Sequence, residues 1–139
     1  MSEKIGDTIP NGTEVKLKNR FKVEFPEIFN LKDWHTHKAS RPVFNMKGKT
    51  WSEICFTLYD TVEPSTSKGV MDGITEIMSL GIDEYIIKMF ILGPTNDVIE
   101  EWELMGEIVL IDFGILDYSK SEAMGINIHF DVKGVNLKY

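Results

Sequence analysis

Between Ala123 and Asp131 the chain alternates without exception, with Met124, Ile126, Ile128 and Phe130 set against Gly125, Asn127, His129 and Asp131. A period of two places one set on each face of a β-strand, because successive side chains of an extended backbone point in opposite directions. The apolar set is expected to face a core, with Asn127, His129 and Asp131 facing solvent or a lumen. Asn19–Phe25 repeats the pattern, Phe21, Val23 and Phe25 alternating with Arg20, Lys22 and Glu24, and Pro26 ends it. Pro42–Met46, Ile54–Tyr59, Glu84–Leu92, Asp97–Leu104 and Glu107–Gly114 complete a set of about seven predicted strands. Gly93-Pro94-Thr95-Asn96 reads as the loop of a hairpin. Glu107–Gly114 is mostly apolar, so both of its faces are expected to be covered.

A single helix interrupts this pattern. Pro64, then Ser65 or Thr66 as N-cap, opens it, Val70, Ile74, Ile77 and Met78 form an apolar stripe, and Gly81 closes it. Gly69 and Gly73 weaken it but permit close packing. The expected class is mainly β (α+β), an antiparallel β-sandwich or partial barrel with one flanking helix. At 139 residues it forms one domain, residues 19–139, preceded by an N-terminal arm, residues 1–18, whose Gly6, Pro10, Asn11 and Gly12 interrupt any period. Residues 27–41 read as a long loop with aromatic anchors.

Composition narrows the function. No stretch approaches the roughly 20 apolar residues of a membrane-spanning helix, so no membrane insertion by this chain is expected. The polar start has no apolar segment of the kind a secretory leader carries. Net charge is −7, unsuited to gripping nucleic acid through its phosphates. The charge is uneven: residues 1–50 hold ten Lys and Arg against six Asp and Glu, and residues 51–139 hold five against sixteen. Opposite charge at two places on one molecule favours head-to-tail self-association.

Candidate chemistry is sparse. His35-Thr36-His37 places two imidazoles at strand spacing, with Asp33 or His129 as the third ligand a metal site requires. A lone pair of this kind in a polar loop is more often surface, and no metal or other cofactor is expected. Glu100, Glu101, Glu103 and Glu107 around Trp102 read as a solvated face. Cys55, inside a strand with no adjacent histidine in sequence, reads as a packed thiol. No phosphate loop, nucleophile elbow or zinc-protease motif occurs, and nothing argues for an enzyme.

Two longer segments carry a resemblance. Ile91–Gly106 (ILGPTNDVIEEWELMG), Val109–Tyr118 (VLIDFGILDY) and Ile126–Val132 (INIHFDV), with Ala39–Val43 (ASRPV), Trp51 and Thr57–Asp60 (TLYD) before Pro64-Ser65, resemble the tail tube protein family of contractile-tailed bacteriophages. The likeness runs over residues 19–137. Gly93 and Asn96 depart from the family's usual Asp and Gly at the hairpin tip, and His129 from its usual Arg or Leu.

The resemblance implies a non-enzymatic virion protein of the phage tail, assembled in the host cytoplasm. Six copies would form a ring whose strands join into one barrel. Rings would stack into the tail tube through which the viral genome passes without specific binding. Sheath, baseplate and tail terminator proteins would be its partners. A baseplate tube initiator or an injection-system tube protein would share the fold. The N-terminal arm and the long early loop would join successive rings, which points to Lys4, Lys16, Lys18, Trp34 and Arg41 as inter-ring contacts. Two other readings stand beside this one: a monomeric ligand-binding β domain, and a metal enzyme built on His35 and His37.

Overall fold

The computed structural model describes residues 10–139. Among these residues, eight strands and one helix follow in the order β1 (Phe21–Glu24), β2 (Thr36–Lys38), β3 (Phe44–Asn45), β4 (Thr50–Trp51), β5 (Ile54–Tyr59), α1 (Thr66–Leu80), β6 (Tyr85–Leu92), β7 (Val98–Asp112) and β8 (Gly125–Lys138). Six strands make one antiparallel sheet in the order β1-β6-β7-β8-β5-β2, and β3 and β4 form a separate ribbon. The sheet curls until its outer strands nearly meet: Val23 N–H donates to the carbonyl of Asp33, just before β2, at 3.3 Å. The result is a partial barrel, the mainly β architecture expected from the alternation.

The interior is filled by the apolar set of each strand. Ile54, Phe56 and Leu58 of β5, Ile87 and Met89 of β6, Leu104 of β7, and Ile126, Ile128 and Phe130 of β8 are all buried. Phe56 meets Phe25 edge-on at a centroid distance of 5.5 Å and Phe130 at 6.5 Å, the arrangement aromatic quadrupoles favour. Met124, expected in this set, is exposed, because β8 begins one residue later, at Gly125 opposite Tyr59.

Two predicted strands, Asp97–Leu104 and Glu107–Gly114, are one. Met105-Gly106 does not break β7. A side chain at Gly106 would run into the Asp131 carbonyl, so only glycine lets the strands approach there. Register shifts between Met105 and Gly106 and between Ile108 and Leu110 bend the ladder without ending it. The second half of this long strand is not covered on both faces: Val109, Leu110 and Phe113 are exposed. β6 ends its pairing at Tyr85, opposite Gly106, so β7 runs on past it with β8 as its only strand neighbour among the described residues.

The helix is capped as its sequence requires. Ser65 Oγ accepts from the Lys68 N–H at 3.2 Å, and Gly81, at φ 64°, donates its N–H to Ile77 O at 2.9 Å. Its buried side is centred on Thr66, Gly69, Val70 and Gly73, and Ile74 and Ile77 are partly buried against the core. Met78 is 80% exposed. The stripe is turned because the two glycines lie where the helix touches the chain. A side chain at Gly69 would strike the Asn30 carbonyl, and one at Gly73 the Phe29 ring.

Candidate assembly surfaces

β7 and β8 are the longest strands, and each outruns its outer neighbour. Among the described residues, Glu107–Asp112 have β8 alone as hydrogen-bonding partner. Asp131–Lys138 have β7 alone among the described residues, because pairing with β5 stops at Phe130, opposite Ile54. Two stretches of unpaired N–H and C=O groups are therefore left on opposite sides of the sheet. Exposed edges of this kind seek another strand.

A second surface forms where the outer strands approach each other. Leu17, Phe21, Met89 and Ile91 floor a cleft of about 530 Å³, and Lys16, Lys18, Lys38 and Arg41 stand along its wall. Beneath it lies Glu100, only 5% exposed. Its carboxylate takes an ion pair from Lys16, a second from Arg41 at 3.6 Å, and a hydrogen bond from Trp102 Nε1 at 2.7 Å. Burial pushes its pKa up, but the Lys16 and Trp102 hydrogen bonds and the Arg41 charge outweigh it and hold the carboxylate below its usual range. The expected solvated face is thus wrong for Glu100, which anchors residues from the arm and the early loop on the barrel.

Sequence-predicted contact residues fall unevenly around this cleft. Lys16, Lys18 and Arg41 meet there. Trp34 lies elsewhere, half-exposed and stacked on the His35 ring at 4.2 Å. Lys4 lies outside the described residues. Asn127, His129 and Asp131 share the outer face of β8 and are partly exposed, each engaged by a neighbour. Asn127 Oδ1 accepts from Thr57 Oγ1 at 2.8 Å, His129 Nδ1 is 2.9 Å from Glu53 Oε2, and Asp131 pairs with Lys133 at 3.1 Å.

The histidine pair behaves differently from the surface motif expected. His35 is fully buried. Its Nδ1 accepts from the Lys32 N–H at 2.9 Å, and Nε2 lies 3.2 Å from Thr61 Oγ1. This knots the early loop to the segment before α1. Desolvation, aided by the Lys32 charge, lowers its pKa and outweighs the opposing backbone hydrogen bond with Lys32. His37 is exposed and stacks on Tyr59 at 4.4 Å, so the two imidazoles do not share a face. Among the described residues, no group of three or more His, Cys, Asp or Glu is arranged to hold a metal. Cys55 is exposed rather than packed. It sits across the ladder from His129, with Sγ 3.8 Å from Nε2. No described helix is long and apolar enough to cross a membrane.

The third surface was not anticipated. After β7, the loop Phe113–Tyr118 holds Ile115 at 91% exposure and Leu116 at 81%, with Tyr118 fully exposed. Its ends are fixed by side-chain turns: Asp112 Oδ1 accepts from Gly114 N–H at 2.8 Å, and Asp117 Oδ1 accepts from Ser119 N–H at 2.9 Å. Adjacent large aliphatic side chains held in water on a fixed loop mark an interaction site.

No family model and no curated protein matches the chain. Solved structures do. One chain of the cryo-EM structure of an extracellular contractile injection system, the PVC sheath-tube complex in its extended state, matches with a TM-score of 0.65 at 10% identity, over 99% of each chain. One chain of the six-fold-symmetrised anti-feeding prophage (AFP) baseplate matches with a TM-score of 0.64 at 10% identity, over 91% of this chain and 97% of that one. The chain therefore has a fold found in subunits of contractile injection systems.

Proposed function

We propose that the chain is a structural, non-catalytic subunit of a contractile tail. Six copies close into a ring, and rings stack into a tube that a sheath surrounds. In a bacteriophage this tube is part of the virion and carries the genome outward during contraction; in an injection system it carries another cargo. Baseplate and terminator proteins would bound it at its two ends, and DNA would pass without specific binding.

The observation that carries the reading is the pair of unpaired edges, Glu107–Asp112 and Asp131–Lys138. They lie on opposite sides of one sheet, so edge-to-edge pairing is heterologous and closes only as a ring. Closure would pair the backbone groups that a soluble monomer leaves open. The net charge of −7 per copy suits a conduit for polyanions, although screening confines that repulsion to about 8 Å in physiological salt. A second reading, a tube initiator at the baseplate, is favoured by the likeness to a baseplate chain.

Light scattering coupled to size exclusion tests the ring directly. A mass of six chains, or a multiple of six, supports it; a single 15.9 kDa species at every concentration refutes it. Capping the edge with proline at a position of Glu107–Asp112 whose N–H points away from β8 should shift the mass toward the single chain.

A further inference from the structure

We infer that the loop Phe113–Tyr118 of one copy seats in the cleft between Lys18 and Arg41 of a second copy, joining copies end to end. The inference rests on the assembly reading above and names the contact that would extend it. The partner is a second copy because the two surfaces are complementary in both chemistry and position.

The loop offers Ile115 and Leu116 at its tip, flanked by Asp112, Asp117 and Glu122 against a single Lys120. The cleft offers an apolar floor, Leu17, Phe21, Met89 and Ile91, beneath a wall of cations. Lys16 and Arg41 share one carboxylate, Glu100. Lys18 and Lys38 form no ion pair with any other described residue. The cleft thus keeps an excess of positive charge around a greasy centre, and the loop an excess of negative charge around a greasy tip. An apolar anchor within a polar rim is the usual anatomy of a specific interface. Turn bonds already hold both ends of the loop, which lowers the ordering cost of docking.

Position favours docking between copies. The loop leaves the sheet where β7 ends and β8 begins, the end at which Gly125 faces Tyr59 and Gly106 faces Tyr85. The floor of the cleft, Phe21 and Ile91, lies toward the opposite end, where Phe21 faces Ile91 and Leu92 faces Val98, and its other wall, Lys38, comes from β2 opposite Thr57. One copy therefore offers its loop at one end and its cleft toward the other, the arrangement of a heterologous contact that elongates without closing.

Sedimentation velocity on four full-length samples tests this. The samples are wild type, a loop variant (Ile115→Ser/Leu116→Ser), a cleft variant (Lys18→Glu/Lys38→Glu), and an equal mixture of the two variants. The wild type should give a ladder of stacked species. Each variant alone should stop at the unstacked unit, with a thermal melt matching wild type because all four side chains are exposed. The mixture keeps one intact loop and one intact cleft, so it should form a single junction, twice the unit mass, and go no further. An unaltered ladder from either variant, or a mixture with no junction, overturns the contact while leaving the ring reading in place. A wild type that stays a single chain overturns both.

Discussion

The first half of β8 and the end of β7 beside it are built from the same kinds of residue and live in opposite surroundings. Ile126, Ile128 and Phe130 are fully buried, whereas Val109 and Leu110, with Phe113, Ile115 and Leu116 in the loop that follows, meet water. The two stretches are even paired, Ile111 opposite Ile128 and Ile108 opposite Phe130. What differs is reach. β8 is flanked by β5 through Phe130, while β6 stops short at Gly106 and leaves β7 to run on alone. Apolar sequence in a strand states that the strand should be covered; whether this chain or another copy supplies the cover depends on how far the neighbouring strands extend.

The largest expected effect separates these regions outright. Ile128→Asp places an unpaired charge in the sealed interior and should cost more than ~4 kcal/mol, enough to abolish soluble folded protein. Leu110→Asp, on the overhang, should leave the denaturant midpoint within ~0.5 kcal/mol of wild type. Equal solubility and equal midpoints would show that the two stretches are not differently covered.

Next comes the helix contact. At an exposed helix position Gly→Ala stabilises by up to ~1 kcal/mol. At Gly73 the sign should reverse, because the added methyl strikes the buried Phe29 ring, and overpacking costs about 1–3 kcal/mol. A Gly73→Ala chain that melts higher than wild type would mean the helix stands off the barrel.

Acid should act on two buried groups in turn, His35 before Glu100. The unfolded His35 imidazole takes up a proton near its ordinary 6.5, and the folded one only at lower pH because burial disfavours its charge. The unfolded state then binds more protons, so stability falls as pH drops through 6.5 toward the folded value. Glu100 acts lower. Its folded pKa is depressed below 4.5, so its contribution is present above 4.5 and is lost as pH falls through the folded value. His35→Gln should flatten the upper part of this profile in a series of chemical melts; an unchanged slope would remove His35 from the account. The smallest effect on stability is expected at the loop tip, where Ile115→Ser should shift the melt by less than ~0.5 kcal/mol while suppressing higher-order species.

The elements legible in the sequence were those set by local chemistry. The period of two gave the inward set Ile126, Ile128 and Phe130, and Gly81 marked one helix end while the other lay at Ser65 or Thr66 and fell on Ser65. Residues whose environment is decided by distant chain were misread. Glu100 shares its strand parity with Trp102 and Leu104, which hinted at an inward position, but its partners Lys16 and Arg41 come from far upstream. His35 is buried by contacts to Lys32 and Thr61 that no spacing announces. Cys55 faces His129 only through the β5–β8 register. Gly106 looked like a strand end because glycine often is one, yet here it marks close approach to Asp131. Exposure of Phe113–Tyr118 follows from strand length in three dimensions, which an apolar run does not encode.

The central claim, that the overhanging edges of β7 and β8 are completed by other copies of the chain, is tested most directly by negative-stain electron microscopy of concentrated purified protein. The account predicts rings of six subunits, stacked into tubes as concentration rises. A field of dispersed single chains at every concentration, with no ring and no filament, would contradict it.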